Sequence, residues 1–245
     1  MSVNNGFIKE DEFRNYVNRK RFNELNDNFK SFVLFLTNGQ IPQGTILCEK
    51  GKGGQKPDVI LIIDSKRYAV SLKVGCGNSV HQEPFDLFIE FLKSIGVNER
   101  GIKLLKEFHY ADGTDNDTGS LADRLSSSEY CQNNPEKIKE LNSILNDPVI
   151  RDKIMERVLF QGKSSTYTRA EYIYHGTIES AYWANSKEVK DASFVGTINS
   201  VHVGNLTYQV WGRNQDGTAA HPDRRYVTQF KFGSCVSVLI NIRGN

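Results

Sequence analysis

Long apolar runs are absent from this chain of 245 residues. The longest, Phe32–Leu36 and Val59–Ile63, fall far short of the ~20 residues needed for a bilayer-spanning helix, so no membrane partner is expected. The first residues, MSVNNGFIKEDEF, carry no apolar stretch behind a basic head, and no secretory leader is expected. Cysteine is sparse and unpatterned. Cys48, Cys76, Cys131 and Cys235 show neither CxxC nor Cys/His zinc spacing, which argues against zinc ribbons, zinc fingers and dithiol redox motifs. They read as free thiols of a reducing compartment. A dominant sign of charge is missing too. Lys and Arg number 31 against 29 Asp and Glu, a net charge of +2, so any hold on a polyanion has to come from local patches rather than a global field. Internal repeats and low-complexity tracts are also missing. What is present, 38% apolar and 11% aromatic residues, suits one large domain or two small ones with a substantial core.

Along the chain, residues 8–37 read as helical. Phe22, Leu25, Phe29, Phe32, Val33 and Leu36 recur at steps of three and four, and Asn38-Gly39 reads as a stop. Thr45–Cys48 reads as a short strand, followed by the loop Glu49-Lys-Gly-Lys-Gly-Gly-Gln-Lys56. Val59–Ile63 is a β-branched run of the kind buried on both faces of a sheet. After a tight connection at Asp64–Arg67, residues Tyr68–Val74 alternate, with Ala69, Ser71 and Lys73 facing away from Val70, Leu72 and Val74. The small polar loop Gly75–Gln82 leads to a helix carrying Phe85, Phe88, Phe91, Leu92 and Ile95, with Pro84 in its first turn. Residues 111–134 are polar and read as a loop. Pro135–Leu145 and Pro148–Leu159 read as helices behind Asn134 and Asp147. From Ala170 the chain turns β-rich, including LTYQVW, YVTQFKF and VSVLINI.

The chemically informative stretch is Pro57-Asp58, twelve residues, then Ser71-Leu72-Lys73. Two neighbouring buried strands each carry one ionisable group. Burying either alone costs several kcal/mol, so each needs the other, a metal or a phosphate. Phosphodiester hydrolysis uses such a set: a carboxylate to hold Mg²⁺, and a lysine to orient water and counter negative charge. A buried Asp–Lys pair that only sets strand register is the alternative.

This motif, across a strand, a turn and a strand followed by a helix, resembles the PD-(D/E)XK nuclease superfamily, above all its type II restriction endonucleases. The likeness spans roughly residues 10–95. It departs at Ser71, where the family usually has Asp or Glu, and so resembles the variant with Ser-x-Lys whose second acid comes from the following helix. Glu83, at the mouth of that helix, is favoured for this role over Asp86 and Glu90. The resemblance implies an α/β, restriction-endonuclease-like mixed sheet flanked by helices, with a β-rich C-terminal region. The expected regions are a nuclease core with N-terminal helices (1–110), a polar loop and helical excursion (111–165), and a β-rich region that completes the fold and reads DNA (166–245). The implied function is Mg²⁺-dependent, site-specific cleavage of double-stranded DNA, leaving a 5′-phosphate and a 3′-hydroxyl. Asp58, Lys73 and Glu83 would be catalytic, Asp58 and Glu83 would hold the metal, and a homodimer in a prokaryotic cytoplasm would carry out the reaction. An inactive nuclease-fold DNA-binding module, with Ser71 marking lost catalysis, and a repair or mobile-element nuclease are the other readings.

Glu24 and Glu49 are secondary acidic candidates. Asp112–Gly119 invites a calcium reading, but counting from Asp115 the sixth and twelfth positions are Ser120 and Ser126, which excludes an EF-hand. For DNA contact, Asn78, Ser79, His81 and Gln82 lie in the small polar loop, where backbone N–H groups can hold a phosphate. Arg213, Arg224, Arg225 and Lys231 lie in the β-rich third among Gln209, Asn214 and Gln229. Arg, Gln and Asn are the side chains that read base edges bidentately, and a β-ribbon fits the major groove.

Overall fold

A computed structural model describes residues 5–73, 79–193, 199–210 and 225–243. In chain order the first elements are α1 (Asn5–Val17), β1 (Lys20–Arg21), α2 (Asp27–Leu36), β2 (Thr45–Lys50), β3 (Val59–Ile63) and β4 (Lys66–Lys73). Next come β5 (Ser79–Pro84), α3 (Phe85–Ser94), α4 (Glu99–Tyr110), α5 (Ser127–Asn133), α6 (Pro135–Leu145) and α7 (Pro148–Met155). The last are β6 (Tyr172–Gly176), β7 (Ala181–Asn185), α8 (Ser186–Asp191), β8 (His202–Val203), β9 (Leu206–Val210), β10 (Val227–Lys231) and α9 (Cys235–Arg243). They fall into two compact units. One comprises Met1–Gly77, Leu159–Ala192 and Ser234–Asn245; the other comprises Asn78–Val158 and Ser193–Gly233. These units interleave the successive regions expected from the sequence. Among the described residues, no helix is long and apolar enough to cross a membrane.

The first unit is built on a sheet of order β1-β2-β3-β4-β6-β7. β3 and β4 form an antiparallel hairpin, and β4 runs parallel to β6. β4 is buried from Tyr68 to Leu72, as a strand covered on both faces should be. One face is covered by an aromatic cluster. Phe32 of α2 sits 4.9 Å from Tyr174 and 5.2 Å from Trp183, and Phe13 of α1 sits 5.2 Å from Tyr174.

The expected single helix over 8–37 is two helices. Arg19 adopts φ 66°, its N–H bonds to the Ile46 carbonyl, and Lys20–Arg21 pair with β2. Asn26 then caps α2 by accepting from the Phe29 N–H, a start signal strong enough to reset the chain. VSVLINI is a correction of another kind. It forms α9 rather than a strand, with Cys235, Val238 and Leu239 buried at helical spacing.

The β3–β4 turn is tighter than expected: Asp64 and Ser65 alone form it, at φ 46° and 67°. Two positive φ values in a two-residue hairpin favour glycine at the second place. Ser65→Gly is therefore expected to stabilise the protein by about 0.5–1 kcal/mol, read as a higher urea midpoint with an unchanged slope. Asp64 should stay, because its carboxylate accepts the Gln43 and Gly44 N–H groups.

The second unit carries an antiparallel sheet of order β5-β10-β9-β8. Phe230 and Tyr208 pack against Phe88, at 5.3 and 6.1 Å, in a core that also buries Phe85, Leu92 and Phe108. Ser79–Gln82, expected as the end of a loop, and Glu83 and Pro84, expected at the start of the helix, together form β5, and Pro84 stands at the N-cap of α3 rather than in its first turn. The polar stretch 111–134 contains α5, started by the Ser126–Glu129 capping box. Asp147 caps α7 through the Val149 and Ile150 N–H groups. Cys48 and Cys235 are buried free thiols, Cys131 is buried as well, and Cys76 lies outside the described residues.

Candidate active site

The site begins where β3 leaves its partner. Val59 is the first residue of β3 to pair with β4, opposite Val70. One residue earlier the ladder changes hands. The Asp58 N–H turns to the Val70 carbonyl at 2.9 Å, and Asp58 Oδ2 accepts the Leu72 N–H at 2.6 Å. The carboxylate thus takes the place of a strand carbonyl. The lysine-glycine loop closes behind it, with the Gly51 N–H bonded to the Asp58 carbonyl. A Cβ at position 51 would collide with the Pro57 carbonyl oxygen, so this close approach requires glycine.

Ser71 and Lys73 share one face of β4. Lys73 Nζ donates to Ser71 Oγ at 2.8 Å, and Ser71 Oγ donates to Asp58 Oδ2 at 3.2 Å. Lys73 Nζ stands 3.9 Å from the same oxygen, and both charged side chains are about three-quarters buried, at 24% and 25% exposure. The serine therefore relays between amine and acid without adding a second negative charge to the strand. The described hydrogen bonds of the Asp58 carboxylate converge on Oδ2, which leaves Oδ1 for a ligand.

Glu10, on α1, is a carboxylate that the sequence reading passed over. Burial pushes its pKa up, and the charge of Asp58 pushes it further, while Lys50 and Lys73 pull it down. Two acids therefore face one another's fields beside an amine. The signal was an acid three residues before Phe13 and seven before Val17, which are both buried and lie on one helical stripe. Asp58 and Glu10 offer the hard oxygen donors that Mg²⁺ prefers. Among the described residues, no group of three or more His, Cys, Asp or Glu is placed to hold a metal.

Glu83, the expected second metal acid, lies on β5 in the second unit with a fully buried side chain. Arg157 Nε donates to Oε1 at 2.9 Å and Nη2 to Oε2 at 2.5 Å. His81 Nε2 adds a contact of 2.8 Å to Oε1. Burial pushes the Glu83 pKa up, but the His81 and Arg157 hydrogen bonds outweigh it and hold the carboxyl below its usual range. Both oxygens are thus committed to protein partners. Asp86 is exposed, and Glu90 pairs with Lys93 at the surface. Glu24 accepts the Arg21 N–H, and Glu49 pairs with Arg67 at 2.7 Å.

Of the expected DNA contacts, Asn78, Arg213 and Arg224 lie outside the described residues. His81 lies on β5 rather than in a loop, buried beside Glu83. Arg225 anchors its own segment: its guanidinium pairs with Asp117 at 2.7 Å, and its carbonyl oxygen meets His109 Nε2 at 2.5 Å. Ser79, Gln82 and Lys231 lie on strands of the second unit.

A cavity of about 410 Å³ opens on the other face of β4, lined by Leu72, Phe13 and Tyr174. Glu12 and Glu179 are its charged lining residues, a poor match for a polyanion, and the relay faces away from it.

No family model and no curated protein matches the chain at the level of sequence. Among solved structures, the fold is similar to that of restriction endonuclease MspI in complex with its cognate DNA. The TM-score is 0.53 at 12% identity, over 93% of this chain and 87% of that one. At that identity the likeness speaks to architecture. The fold is restriction-endonuclease-like: a mixed sheet flanked by helices.

Proposed function

We propose that this chain is a Mg²⁺-dependent endonuclease that hydrolyses phosphodiester bonds of double-stranded DNA at specific sites, in the manner of type II restriction enzymes. The observation that carries this reading is the relay from Lys73 through Ser71 to Asp58, set where β3 leaves β4 in a fold of this kind. Asp58 and Glu10 would hold the metal, with Glu10 replacing Glu83 in that role. Bound there, Mg²⁺ supplies charge stabilisation to the phosphate under attack and acidifies water. The chain's own part is positional. Asp58 Oδ2 stays fixed by the Leu72 N–H. Lys73, steered by Ser71, orients the attacking water and offsets charge building on the phosphate oxygens. Cutting both strands of a symmetric site in one encounter calls for two such sites, hence a homodimer on DNA.

Metal binding can be tested without activity. Mg²⁺ at ten times its Kd should stabilise the wild type by about 1.4 kcal/mol, seen as a rise in Tm. Glu10→Gln should lose most of that response. The folded pKa of Glu10 is raised, so its ionised form opposes folding at neutral pH, and stability is gained as pH falls through that raised value. The same variant should therefore melt slightly higher than wild type in metal-free buffer at neutral pH. A full Mg²⁺ response in Glu10→Gln would remove Glu10 from the site.

Plasmid digestion tests the function itself. Discrete fragments with Mg²⁺ and none with a chelator are expected, whereas smearing would favour a nuclease without sequence specificity. The second reading is a module that binds DNA without cutting. Ser71, standing where the family usually has an acid, favours it, and it predicts retarded duplex in a gel shift with no cleavage even in Mn²⁺.

A further inference from the structure

Two loops of the first unit gather charge of one sign. Residues 50–57 hold Lys50, Lys52 and Lys56 and no acid; residues 160–170 hold Lys163 and Arg169 and no acid. Together they carry more positive charge than the net +2 of the whole chain. The acids that flank them are engaged elsewhere. Glu49 pairs with Arg67 at 2.7 Å, and Glu171 Oε2 accepts the Ala69 N–H at 3.4 Å.

The two loops are built as one platform. The Thr168 N–H donates to Gln55 Oε1 at 2.9 Å, and a Cβ placed on Gly162 would stand 3.6 Å from Lys56 Cγ. Each loop is also braced within itself. The Gln55 N–H bonds to the Lys52 carbonyl at 3.1 Å, and Gln161 Nε2 donates to the Ser164 and Tyr167 carbonyls at 2.9 and 2.8 Å. The platform borders the candidate site. Its first loop is tied to Asp58 through the Gly51 N–H at 2.8 Å, and the charge of Lys50 pulls down the pKa of Glu10. Its upper side is open. Lys52 and Lys163 are exposed, and a Cβ added at Gly53 or Gly54 would touch nothing. Like charges held together on a braced surface repel one another, and a polyanion relieves that repulsion. Duplex DNA presents one negative charge per ~1.7 Å of its axis, and lysines that meet its phosphates release condensed counterions.

We propose that Lys52 and Lys163, at the head of this two-loop platform, grip the phosphate backbone of duplex DNA beside the cut, and supply affinity that depends on neither base sequence nor metal. This rests on the endonuclease reading for its polymer. It adds to that reading the local patch that a chain of nearly balanced charge needs in order to hold a polyanion, and it places the hold next to Asp58. Contacts of this kind set position along the duplex and carry no sequence information.

The test uses the full-length chain, a fluorescent duplex of random sequence and a chelator, so that nothing is cut while affinity is measured from about 50 to 200 mM salt. Lys52→Ala and Lys163→Ala should each lower the slope of log affinity against log salt by ~0.9, and weaken binding about 8-fold at ~0.1 M salt, as expected for one lost phosphate contact. Lys52→Arg should restore the slope. Lys187→Ala, which removes an exposed lysine of α8 that pairs with Asp191, should leave it unchanged. Lys52 and Lys163 are exposed, so their variants should fold with the wild-type Tm. A wild-type slope in either loop variant overturns the proposal. So does an equal loss in Lys187→Ala, which would mean a diffuse field, and so does tighter binding of single-stranded RNA of the same length, which would name another polyanion. Unchanged slopes in variants that still cut in Mg²⁺ sink this inference alone. Lowered slopes in a protein that cuts nothing in Mg²⁺ sink the nuclease reading and leave the grip standing.

Discussion

Asp58→Asn and Lys73→Ala should each lower Mg²⁺-dependent cleavage by ~10²–10³-fold or more, the scale of losing a preorganised charge contact, while the protein stays folded. The asparagine is the more informative change. Its amide oxygen can still accept the Leu72 N–H that Asp58 Oδ2 takes at 2.6 Å, so the end of β3 keeps its shape and only the negative charge goes. Both charged side chains retain about a quarter of their surface in solvent, so water can solvate the partner left behind. The stability cost should stay near 1 kcal/mol, as for partly exposed pairs. A pair that merely sets strand register predicts the reverse: a lower Tm with activity per folded molecule unchanged. Measuring kcat and Tm on the same preparations separates the two. Cleavage by Asp58→Asn within a few-fold of wild type would remove the chemical role. Ser71→Ala should fall between, because it breaks the relay but leaves Lys73 Nζ and Asp58 Oδ2 3.9 Å apart.

The acid and the amine were legible in the sequence because strand periodicity is local. A β-branched run marks β3 and alternation marks β4, so the sequence placed the acid and the amine on neighbouring strands; the two-residue turn at Asp64 and Ser65 then fixes the register that brings them together. Glu10 was not legible in the same way. An acid on an apolar helical stripe is noticeable, but its value depends on where α1 packs, and the expected unbroken helix over 8–37 concealed the turn at Arg19. The setting of Glu83 was hidden for a related reason. Proline after it suggested a helix mouth, whereas β5 continues to Pro84 and turns Glu83 toward a partner 74 residues away. The basic platform lies furthest from local inspection. Lys52 and Lys163 are separated by a long stretch of chain, and the bond from Thr168 to Gln55 joins their loops. VSVLINI shows the converse: β-branched composition favoured a strand, and packing of Cys235, Val238 and Leu239 on one side decided for a helix.

Arg157→Ala should destabilise the protein by ~3–5 kcal/mol, because removing one partner of a buried pair strands the other charge. The Glu83 side chain is fully buried and that of Arg157 is 11% exposed, and the guanidinium also lies 4.5 Å from the Phe91 ring centre. Urea titration reads the loss directly, and a change below 1 kcal/mol would mean that water reaches Glu83. The pH dependence has a definite sign. Glu83 is held below its usual pKa in the folded state, so its contribution is complete above the unfolded value, about 4.3, and disappears as pH falls through the lower folded value. Glu83→Gln should therefore flatten the acid limb of the stability curve as well as lower its plateau. The same variant decides where the metal binds. With both oxygens of Glu83 already occupied by Arg157 and His81, Glu83→Gln should keep the full Mg²⁺-induced rise in Tm that Glu10→Gln loses. If the two variants exchange these behaviours, the second metal acid is the one on β5, and the pairing with Arg157 must open when the ion binds.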